Sequence, residues 1–469
     1  MMNKKCQVFT PSDYVEKLLD SVGYKHNLYG KKIMENSCGD GNILSSIVGR
    51  YIDDGLRIGL SKNKIRSGLS RDICGVEIDP KKHKECLSRL NIVLENKGIS
   101  PVKWNIFNGD YLKIKNDEKY DFVVGNPPYI TYSELTKKNQ MHLKKTFESC
   151  KKGKFDYCYA FLEKSIGDLS NAGRMAYLIP SSIFKTVFGE NLRKIMLPYL
   201  ITIYDYTQEK VFSDALVKSA IVVLSKVDTG SGIHYVDETT KVDKMLLRDK
   251  LGAKWNFADD CSGKRRFGDY FKVSHAIATL CNKAYVIKEW ETDTDGNYIC
   301  DGATIERDVI RDAASPKSLR TEKTEKILFP YSYDDTHALI RFDEPEFKTK
   351  YPGAYNYLMK FKEFLDKRDS DRSAQWYEYG RSQALNHIDN EKALISTIIS
   401  SQVFVYKLDQ KTIPYAGMYI TMISDELTID DGIEILQKQS FLKYAQNVGI
   451  PINGNSVRIT SKDIEDYQF

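Results

Sequence analysis

The sequence lacks the marks of several protein classes. Its nine cysteines are scattered without a C-x-x-C pair, its seven histidines include no H-E-x-x-H spacing, and no hydrophobic run reaches the length of a membrane span or a signal segment. These absences argue against a zinc site, a disulfide scaffold and a membrane protein. We therefore expect reduced thiols, no metal ion, no contact with a membrane and a cytoplasmic location.

A large excess of charge of either sign is missing as well. The chain has 69 Lys and Arg against 64 Asp and Glu, a net charge of +5 over 469 residues. A polyanion partner would therefore need a local basic patch rather than a basic protein overall. The length exceeds one ordinary core and predicts two or three domains.

The first half of the chain alternates strand-like apolar runs with helical stretches. The strand-like runs include IMENSCGDGN, DICGVEIDP, DFVVGNPPY, GRMAYLIPSS and KSAIVVLSK. This alternation predicts an α/β fold, a parallel sheet with helices on both faces. It ends near a Thr-Gly-Ser-Gly segment, so we predict domains 1–228 and 229–469. The second half is rich in Tyr, Trp, Lys and Arg, and its residues 352–368 predict one amphipathic helix.

Polar residues end three of these strands. They are Glu35, Glu77 and Asn126. Because ligands of parallel sheets bind beyond the carboxyl ends of the strands, we expect these residues to share one site. Glu35 precedes a glycine turn through Gly39 and Gly41, which fits either a close approach of the backbone to a ligand or a plain strand-to-helix turn.

Two neighbouring features each allow two interpretations. Residues 50–72, which carry several basic side chains, form either a surface excursion or a contact to a DNA backbone. Asp110 follows a short apolar stretch, and it either accepts a hydrogen bond from an adenine amino group or is an ordinary turn residue.

The corner GNPPY carries the strongest chemical signal. Pro127 and Pro128 fix their own φ and cannot donate backbone hydrogen bonds, and Asn126 is held extended before Pro127. The Asn126 side-chain oxygen and the Pro127 carbonyl can then accept both hydrogens of a planar exocyclic amine, while Tyr129 offers a ring to pack on the base. This arrangement suits methyl transfer from a sulfonium donor to the amine nitrogen without a strong general base.

Taken in order, these motifs resemble the gamma class of DNA adenine amino-methyltransferases of restriction-modification systems, typified by the TaqI modification methylase. The order is FTPSDYV, ENSCGDG, GVEIDP, NGDYL, NPPY, GRMAYLIPSS and KVFSDALVKSAIVVL, over roughly residues 8 to 228. The resemblance implies a Rossmann-like S-adenosylmethionine-dependent methyltransferase domain followed by an α+β target-recognition domain. It also implies S-adenosylmethionine as the cofactor and double-stranded DNA as the partner, with the target base flipped out of the duplex.

By the same resemblance, individual residues acquire roles. The donor-binding set is Thr10, Pro11, Glu35, Gly39, Gly41, Glu77, Ile78 and Asp110, and the catalytic set is Asn126, Pro127, Pro128, Tyr129 and Phe212. Glu77 matches the acid that binds the ribose, Ile78 the apolar contact to the adenine of the donor, and Phe212 the aromatic residue that stacks on the flipped base. Asn36 departs from the family, which often has proline at that position.

Basic and aromatic side chains of the second half are candidates for DNA contact. The candidates are Lys264, Arg265, Arg266, Arg372, Tyr379, Arg381 and Gln383. Arg pairs well with guanine and Gln with adenine, while Lys and Arg hold phosphates. The alternative is an ordinary solvated surface.

Several functions are compatible with the sequence. An N-P-P-Y corner also methylates glutamine amides, RNA adenine is a related target, cytosine amino-methylation uses a similar corner, and a non-catalytic DNA-binding subunit could share the fold. We expect a monomer. We also expect a type II modification enzyme beside a separate restriction endonuclease, because the first donor motif begins at Phe9 and no nuclease motif follows residue 228.

Overall fold

The structure, a computed structural model, describes residues 10–115, 117–206, 218–227, 229–257, 265–452 and 456–469. The chain divides into two compact units, Met1–Phe257 and Ala258–Phe469. Within the described residues, no helix is both long and apolar enough to cross a membrane, and no three His, Cys, Asp or Glu side chains form a group that could hold a metal ion.

The first unit contains one large sheet and seven α-helices within the described ranges. The helices are α1 (Ser12–Val22), α2 (Asn42–Arg57), α3 (Lys62–Asp72), α4 (Pro80–Asn96), α5 (Lys137–Thr146), α6 (Cys158–Asp168) and α7 (Glu190–Met196). The strands are β1 (Ile33–Glu35), β2 (Ile73–Glu77), β3 (Asn105–Asn108), β4 (Tyr120–Gly125), β5 (Leu169–Pro180), β6 (Leu200–Tyr206), β7 (Ser219–Ser225), β8 (Gly232–Asp237) and β9 (Asp243–Leu247).

The strand order of this sheet is β3-β2-β1-β4-β5-β7-β6-β8-β9. The first five strands in that order are mutually parallel, as the alternation predicts. β7 departs from the predicted parallel arrangement, because it pairs antiparallel with both β5 and β6. β7 is buried along its whole length. A strand buried on both faces has the same continuous apolar pattern in either direction, so the pattern does not encode direction.

Two hydrophobic cores flank the sheet because neighbouring strand residues point to opposite faces. Met34 and Val123 belong to the core that includes α6, and Ile33 and Val124 belong to the core that includes α1 and α2. α1 buries positions 15, 18, 19 and 22, the spacing of one helical face, and Gly23 closes it in the left-handed conformation at φ 81°.

The first unit extends past the predicted boundary at residue 228. β8 pairs parallel with β6, and β9 pairs antiparallel with β8, so the sheet continues to Leu247. Trp255 and Phe257 then pack against Phe184 in the α6 core, with ring centroids 5.8 and 5.0 Å away. The unit ends at residue 257 because these aromatic residues, which follow the glycine-containing segment, complete its core.

Residues 50–72 form the end of α2 and all of α3. The Arg66 Nε donates to the Pro101 carbonyl at 2.6 Å, and the Ser70 hydroxyl donates to the Lys103 carbonyl at 2.6 Å. α3 runs directly into β2, and the two accepting carbonyls precede β3. α3 therefore lies at the edge of the sheet where strands begin, opposite to the edge where the polar motifs follow the strands.

The second unit has α and β elements in several small sheets. Its helices are α8 (Asn282–Tyr285), α9 (Pro316–Arg320), α10 (Glu344–Lys350), α11 (Pro352–Met359), α12 (Lys362–Asp366), α13 (Ile429–Gln437), α14 (Gln439–Val448) and α15 (Ser461–Glu465). Its strands are β10 (Phe271–His275), β11 (Val286–Ile287), β12 (Glu291–Thr292), β13 (Tyr298–Cys300), β14 (Ala303–Ile305), β15 (Ile310–Ala314), β16 (Glu325–Leu328), β17 (Tyr331–Tyr333), β18 (Leu339–Arg341), β19 (Lys392–Ile395), β20 (Ile398–Ile399), β21 (Val405–Leu408), β22 (Ile413–Pro414), β23 (Met418–Met422), β24 (Ile450–Pro451) and β25 (Val457–Arg458).

Two sheets of four strands hold the two main cores of this unit. Their orders are β10-β23-β19-β21 and β11-β16-β15-β22. The single helix predicted over residues 352–368 is instead α11 and α12, with a break at residues 360–361. Leu358 and Leu365 are both buried in one core, so the predicted apolar face is present on both short helices.

Candidate active site

The three predicted strand-end residues lie at one edge of the large sheet. β1 lies between β2 and β4, and all three strands run in the same direction. Glu35 ends β1, Glu77 ends β2, and Asn126 follows the last residue of β4. The chain adds strands outward on both sides of β1, so these residues flank the switch point where α/β sheets bind ligands.

The glycine turn after β1 is tied to the end of β2. The Gly39 N–H donates to Glu77 Oε2 at 2.8 Å. Gly41 has φ 86°, and a Cβ at that position would lie 2.8 Å from Cys86 Sγ on α4, so only glycine permits this packing. A Cβ at Gly39 would meet nothing within 4 Å. Gly41 therefore serves the fold, whereas Gly39 leaves open space beside the backbone.

Glu35 is a buried carboxyl group with unused hydrogen-bonding capacity. Its side chain is 2% exposed, and its Oε2 atom has no hydrogen-bond partner among the described residues. Burial raises the pKa of Glu35 well above its usual value. Electrostatic interactions with Cys86, Glu77 and Asp40 raise it further, whereas a hydrogen bond from the Leu44 N–H lowers it. A cation reaching Oε2 would gain a charge-assisted hydrogen bond away from water.

The other donor-binding candidates continue along the same edge. Glu77 Oε1 accepts from the Asp79 N–H at 2.7 Å, and Ile78, although apolar, is 44% exposed. Asp110 follows β3 and begins a short 3-10 helix, where its Oδ1 accepts from the Leu112 N–H at 3.1 Å. Asp110 therefore acts as a turn residue, one of its two possible roles. Its carboxylate keeps lone pairs that could accept a hydrogen bond from a further donor.

The GNPPY corner is joined to both other segments of the site. The Asn126 Nδ2 donates to Thr10 Oγ1 at 3.2 Å, and the Ser37 hydroxyl donates to the Asn126 carbonyl at 3.2 Å. The Asn126 Oδ1 atom is buried and has no partner among the described residues. The Tyr129 hydroxyl donates to the Leu178 carbonyl at 3.0 Å, which fixes one end of its ring against β5.

Supporting residues hold this corner in place. Pro127 is buried and Pro128 is half-buried. Pro11 stands immediately before α1, and the Thr10 carbonyl accepts from the Asn42 Nδ2 at 2.7 Å, at the first residue of α2. The predicted N-terminal motif is thus bound to α2 and to Asn126 together.

Unpaired polar atoms concentrate at this edge. Five buried side-chain oxygens lack a hydrogen-bond partner within the described part of the chain, and four of them belong to Glu35, Asn36, Asn126 and Ser181, directly at the ends of β1, β4 and β5. Folded proteins rarely leave such atoms unpaired, so the cluster indicates a binding site. Sequence reasoning gave no role to Asn36 or Ser181; the polar end of LIPSS was the available signal for Ser181.

These residues fit S-adenosylmethionine. Glu35 Oε2 is an unused acceptor suited to an ammonium group, Glu77 can accept from ribose hydroxyls, and the exposed Ile78 offers an apolar face for an adenine ring. The open side of Gly39 leaves room for the donor beside the loop backbone.

Most of the candidate DNA-binding side chains of the second unit make contacts within that unit. Arg266 pairs with Asp466 at 2.7 Å, and Arg381 pairs with Asp369 and Asp371 at 3.2 and 3.1 Å. These ion pairs hold the guanidinium groups against neighbouring chain segments.

The prediction that Tyr379 contacts DNA is wrong, because Tyr379 is a core residue. It is fully buried, and its hydroxyl donates to the Leu328 carbonyl at 2.8 Å. Arg265 lies over the Tyr270 ring and donates to its hydroxyl at 2.9 Å. Arg372 and Gln383 are exposed. Phe212 and Lys264 lie outside the described residues.

Comparisons with known proteins find similarity to restriction-modification methylases. Residues 60–212 match the family described as Eco57I restriction-modification methylase. The Escherichia coli type II restriction enzyme and methyltransferase RM.Eco57I is 27% identical over 337 residues, covering 62% of this chain and 33% of the relative. The type II methyltransferase M.BstVI of Geobacillus stearothermophilus is 30% identical over 205 residues, covering 40% of this chain and 36% of the relative. The chain spans about a third of the length of these relatives.

A solved structure extends the likeness in fold to both units. The type IIL restriction-modification enzyme MmeI, solved in complex with DNA, matches 98% of this chain and 67% of its own chain with a TM-score of 0.62 and 15% identity. This likeness confirms the predicted fold class. The family and curated matches confirm the resemblance to restriction-modification methylases and, with it, S-adenosylmethionine as the cofactor.

Proposed function

We propose that this chain is a site-specific DNA methyltransferase of a type II restriction-modification system, acting in the cytoplasm. It transfers a methyl group from S-adenosylmethionine to the exocyclic amine of an adenine flipped out of a short DNA sequence. The observation that carries the proposal is the Asn126 Oδ1 atom, a buried acceptor without a partner among the described residues, at the same sheet edge as the unpaired Glu35 carboxyl.

The corner residues act on the amine before the methyl group moves. Asn126 Oδ1 and the Pro127 carbonyl accept its two hydrogens, which turns the nitrogen lone pair away from the ring and toward the donor. Bound S-adenosylmethionine supplies a methyl group on a positively charged sulfur. The amine nitrogen held by Asn126 and Pro127 would take the methyl group as the carbon–sulfur bond breaks, and the sulfur would leave as a neutral thioether. The amine then loses one proton to solvent, so no strong base is required among the residues of this site.

Aromatic rings hold the flipped base. Unstacking a paired base costs a few kcal/mol, and stacking on an aromatic side chain returns roughly 1–3 kcal/mol per base. Tyr129, fixed by its bond to Leu178, provides one ring, and we assign Phe212 as the second by its motif. Phe212→Ala should weaken binding of a duplex with a normal target pair more than binding of a duplex mismatched there. Competition binding with both duplexes measures this, and an equal loss on both would contradict the stacking role.

The second unit serves as the target-recognition domain. The likeness in fold to MmeI over 98% of this chain, in a structure solved with DNA, supports this assignment. Arg372 and Gln383 are exposed, and we propose them as contacts to base edges or phosphates. A monomeric state and a separate endonuclease stay predictions; the name of RM.Eco57I joins restriction and methylation in one protein.

The test is expression in a host without DNA methylation, followed by sequencing that reports modified bases. Methylated adenine at one short motif, absent with Asn126→Ala, is the expected result. Methylated cytosine would correct the target base while retaining the mechanism. Unmodified DNA would overturn the proposal, and a labelled-donor assay on RNA and protein would then identify the substrate.

A further inference from the structure

The positive charge of the first unit is concentrated beside the GNPPY corner. Residues 137–154, here called the basic lobe, contain seven lysines and one glutamate, a net charge of 7 − 1 = +6. The whole chain carries +5, so the other residues together carry 5 − 6 = −1. The lobe consists of α5 and the segment that leads to α6.

The loop that carries the basic lobe begins and ends at the catalytic corner. The chain leaves the corner at Ile130, directly after Tyr129, and the Tyr157 N–H donates to the Ile130 carbonyl at 2.9 Å where it returns. Residues 130–157 therefore form a loop closed at its base next to Asn126, and the lobe is the outer part of that loop.

The lobe is held firmly although few of its side chains are buried. Leu143 and Phe147 are buried in the α6 core. The carboxylate of Glu163 on α6 accepts the N–H groups of Glu148 and Ser149 at 3.0 and 2.7 Å. These contacts fix the backbone that carries the lysines, so the charges have a defined position relative to the corner.

Most of the lysines of the lobe are available to a ligand. Six are exposed, at positions 137, 138, 145, 151, 152 and 154. Within the described residues, only Lys151 has a carboxylate within 4 Å, that of Glu148. The nearby Glu163 is occupied by backbone N–H groups, and Glu190 pairs with Lys194. Five of the six exposed lysines therefore have no carboxylate within 4 Å in the described part of the chain.

We infer that the basic lobe binds the phosphates of duplex DNA next to the flipped base, independently of the second unit; this rests on the function proposed above. Five exposed lysines without a carboxylate within 4 Å among the described residues suit a polyanion, and the loop that carries them closes next to the amine-binding corner. Lysine contacts to phosphate carry no base preference, so the lobe contributes affinity on any sequence.

The test compares two triple variants with the same change in charge. Lys137→Gln, Lys138→Gln and Lys145→Gln alter the lobe, whereas Lys31→Gln, Lys103→Gln and Lys119→Gln alter exposed lysines at the opposite edge of the sheet. DNA affinity is measured by fluorescence anisotropy between about 50 and 200 mM salt, on specific and unrelated duplexes. Thermal unfolding and donor binding by calorimetry check that both variants are intact.

The lobe variant should bind every duplex more weakly, with a salt slope lower by about 2.7 if all three lysines contact phosphates. Raising the salt from about 50 to 200 mM weakens binding of every variant, and the factor of weakening should be about fortyfold smaller for the lobe variant than for the wild type. The control variant should match the wild type. Equal slopes for both variants, with the wild type binding DNA, would overturn this inference alone. A wild type that binds no DNA would overturn the proposed function as well.

Discussion

The two units of the chain treat buried polar groups differently. All five buried side-chain oxygens without a partner, counted over the described residues, lie in the first unit, and four of them surround the strand ends of the candidate active site. In the second unit, the buried Lys392 donates to three carbonyls, and the buried Glu378 receives Arg341. The first unit keeps hydrogen-bonding capacity for molecules that bind it, whereas the second uses its capacity to hold its own fold.

Asn126→Ala should separate activity from stability most strongly. It removes the unpaired acceptor, so we expect the methyl-transfer rate to fall about a thousandfold, the effect of losing one preorganised hydrogen-bond partner of a reacting group. The free energy of unfolding should change by no more than about 1 kcal/mol, because the lost bond to Thr10 is offset by removal of an unpaired buried oxygen. Single-turnover kinetics and urea unfolding measure the two effects.

Asn126→Asp is the matched control, since it keeps acceptor oxygens at the corner and should recover part of the rate. Equal rates for the Ala and Asp variants would contradict the acceptor role. An Ala variant that unfolds in proportion to its lost activity would also remove the contrast between the units.

Arg341→Met should give the reverse outcome in the second unit. Its Nε donates to Glu378 Oε1 at 2.8 Å, and Glu378 is only 1% exposed. Removing the guanidinium leaves the buried carboxylate with the Gln375 N–H as a remaining partner. Because that bond persists and the guanidinium is partly exposed, we expect the low end of the usual cost, about 3 kcal/mol. Donor affinity at temperatures below unfolding should stay unchanged. Urea unfolding and donor calorimetry test this, and a stable variant with weaker donor binding would contradict it.

Glu35→Gln should weaken donor binding and abolish its pH dependence. A charge-assisted hydrogen bond contributes about 1.5–3 kcal/mol, so we expect roughly tenfold to hundredfold weaker binding of S-adenosylmethionine. The pKa of Glu35 is raised by burial, and an ammonium favours its ionised form, so wild-type affinity should rise as the pH increases above about 4.3, the usual pKa of glutamate. Calorimetry over that range should show no rise for the variant.

Stability should show the opposite dependence on pH. A carboxyl group with a raised folded-state pKa favours the fold below its unfolded pKa of about 4.3, and this contribution is lost as pH rises through the folded value. The wild-type midpoint of thermal unfolding should therefore fall over that range relative to the Glu35→Gln variant. Parallel curves for the two proteins would contradict the buried, unpaired carboxyl.

What the sequence could predict depends on how local the determinant is. The edge shared by Glu35, Glu77 and Asn126 follows from strand alternation, because every parallel strand presents its carboxyl end on one side. Tyr379 was wrongly assigned to the surface, since its burial depends on the distant Leu328 and on packing that no local pattern records. Ser181 has no sequence signal beyond its polarity, and its unpaired oxygen becomes visible only when its neighbours are known.

Thr10→Val tests the smallest part of the contrast, a paired bond inside the active site. The Thr10 hydroxyl accepts a hydrogen bond from the Asn126 Nδ2 at 3.2 Å. This bond fixes the orientation of the amide and leaves its Oδ1 atom without a partner among the described residues. A neutral hydrogen bond contributes about 0.5–1.5 kcal/mol, so the single-turnover rate at saturating donor should fall roughly twofold to tenfold. Thr10→Ser keeps the hydroxyl and should restore the rate. If both variants lose the same rate, the methyl group of Thr10 matters rather than its oxygen, and the orientation of Asn126 is set by Ser37 and the two prolines alone.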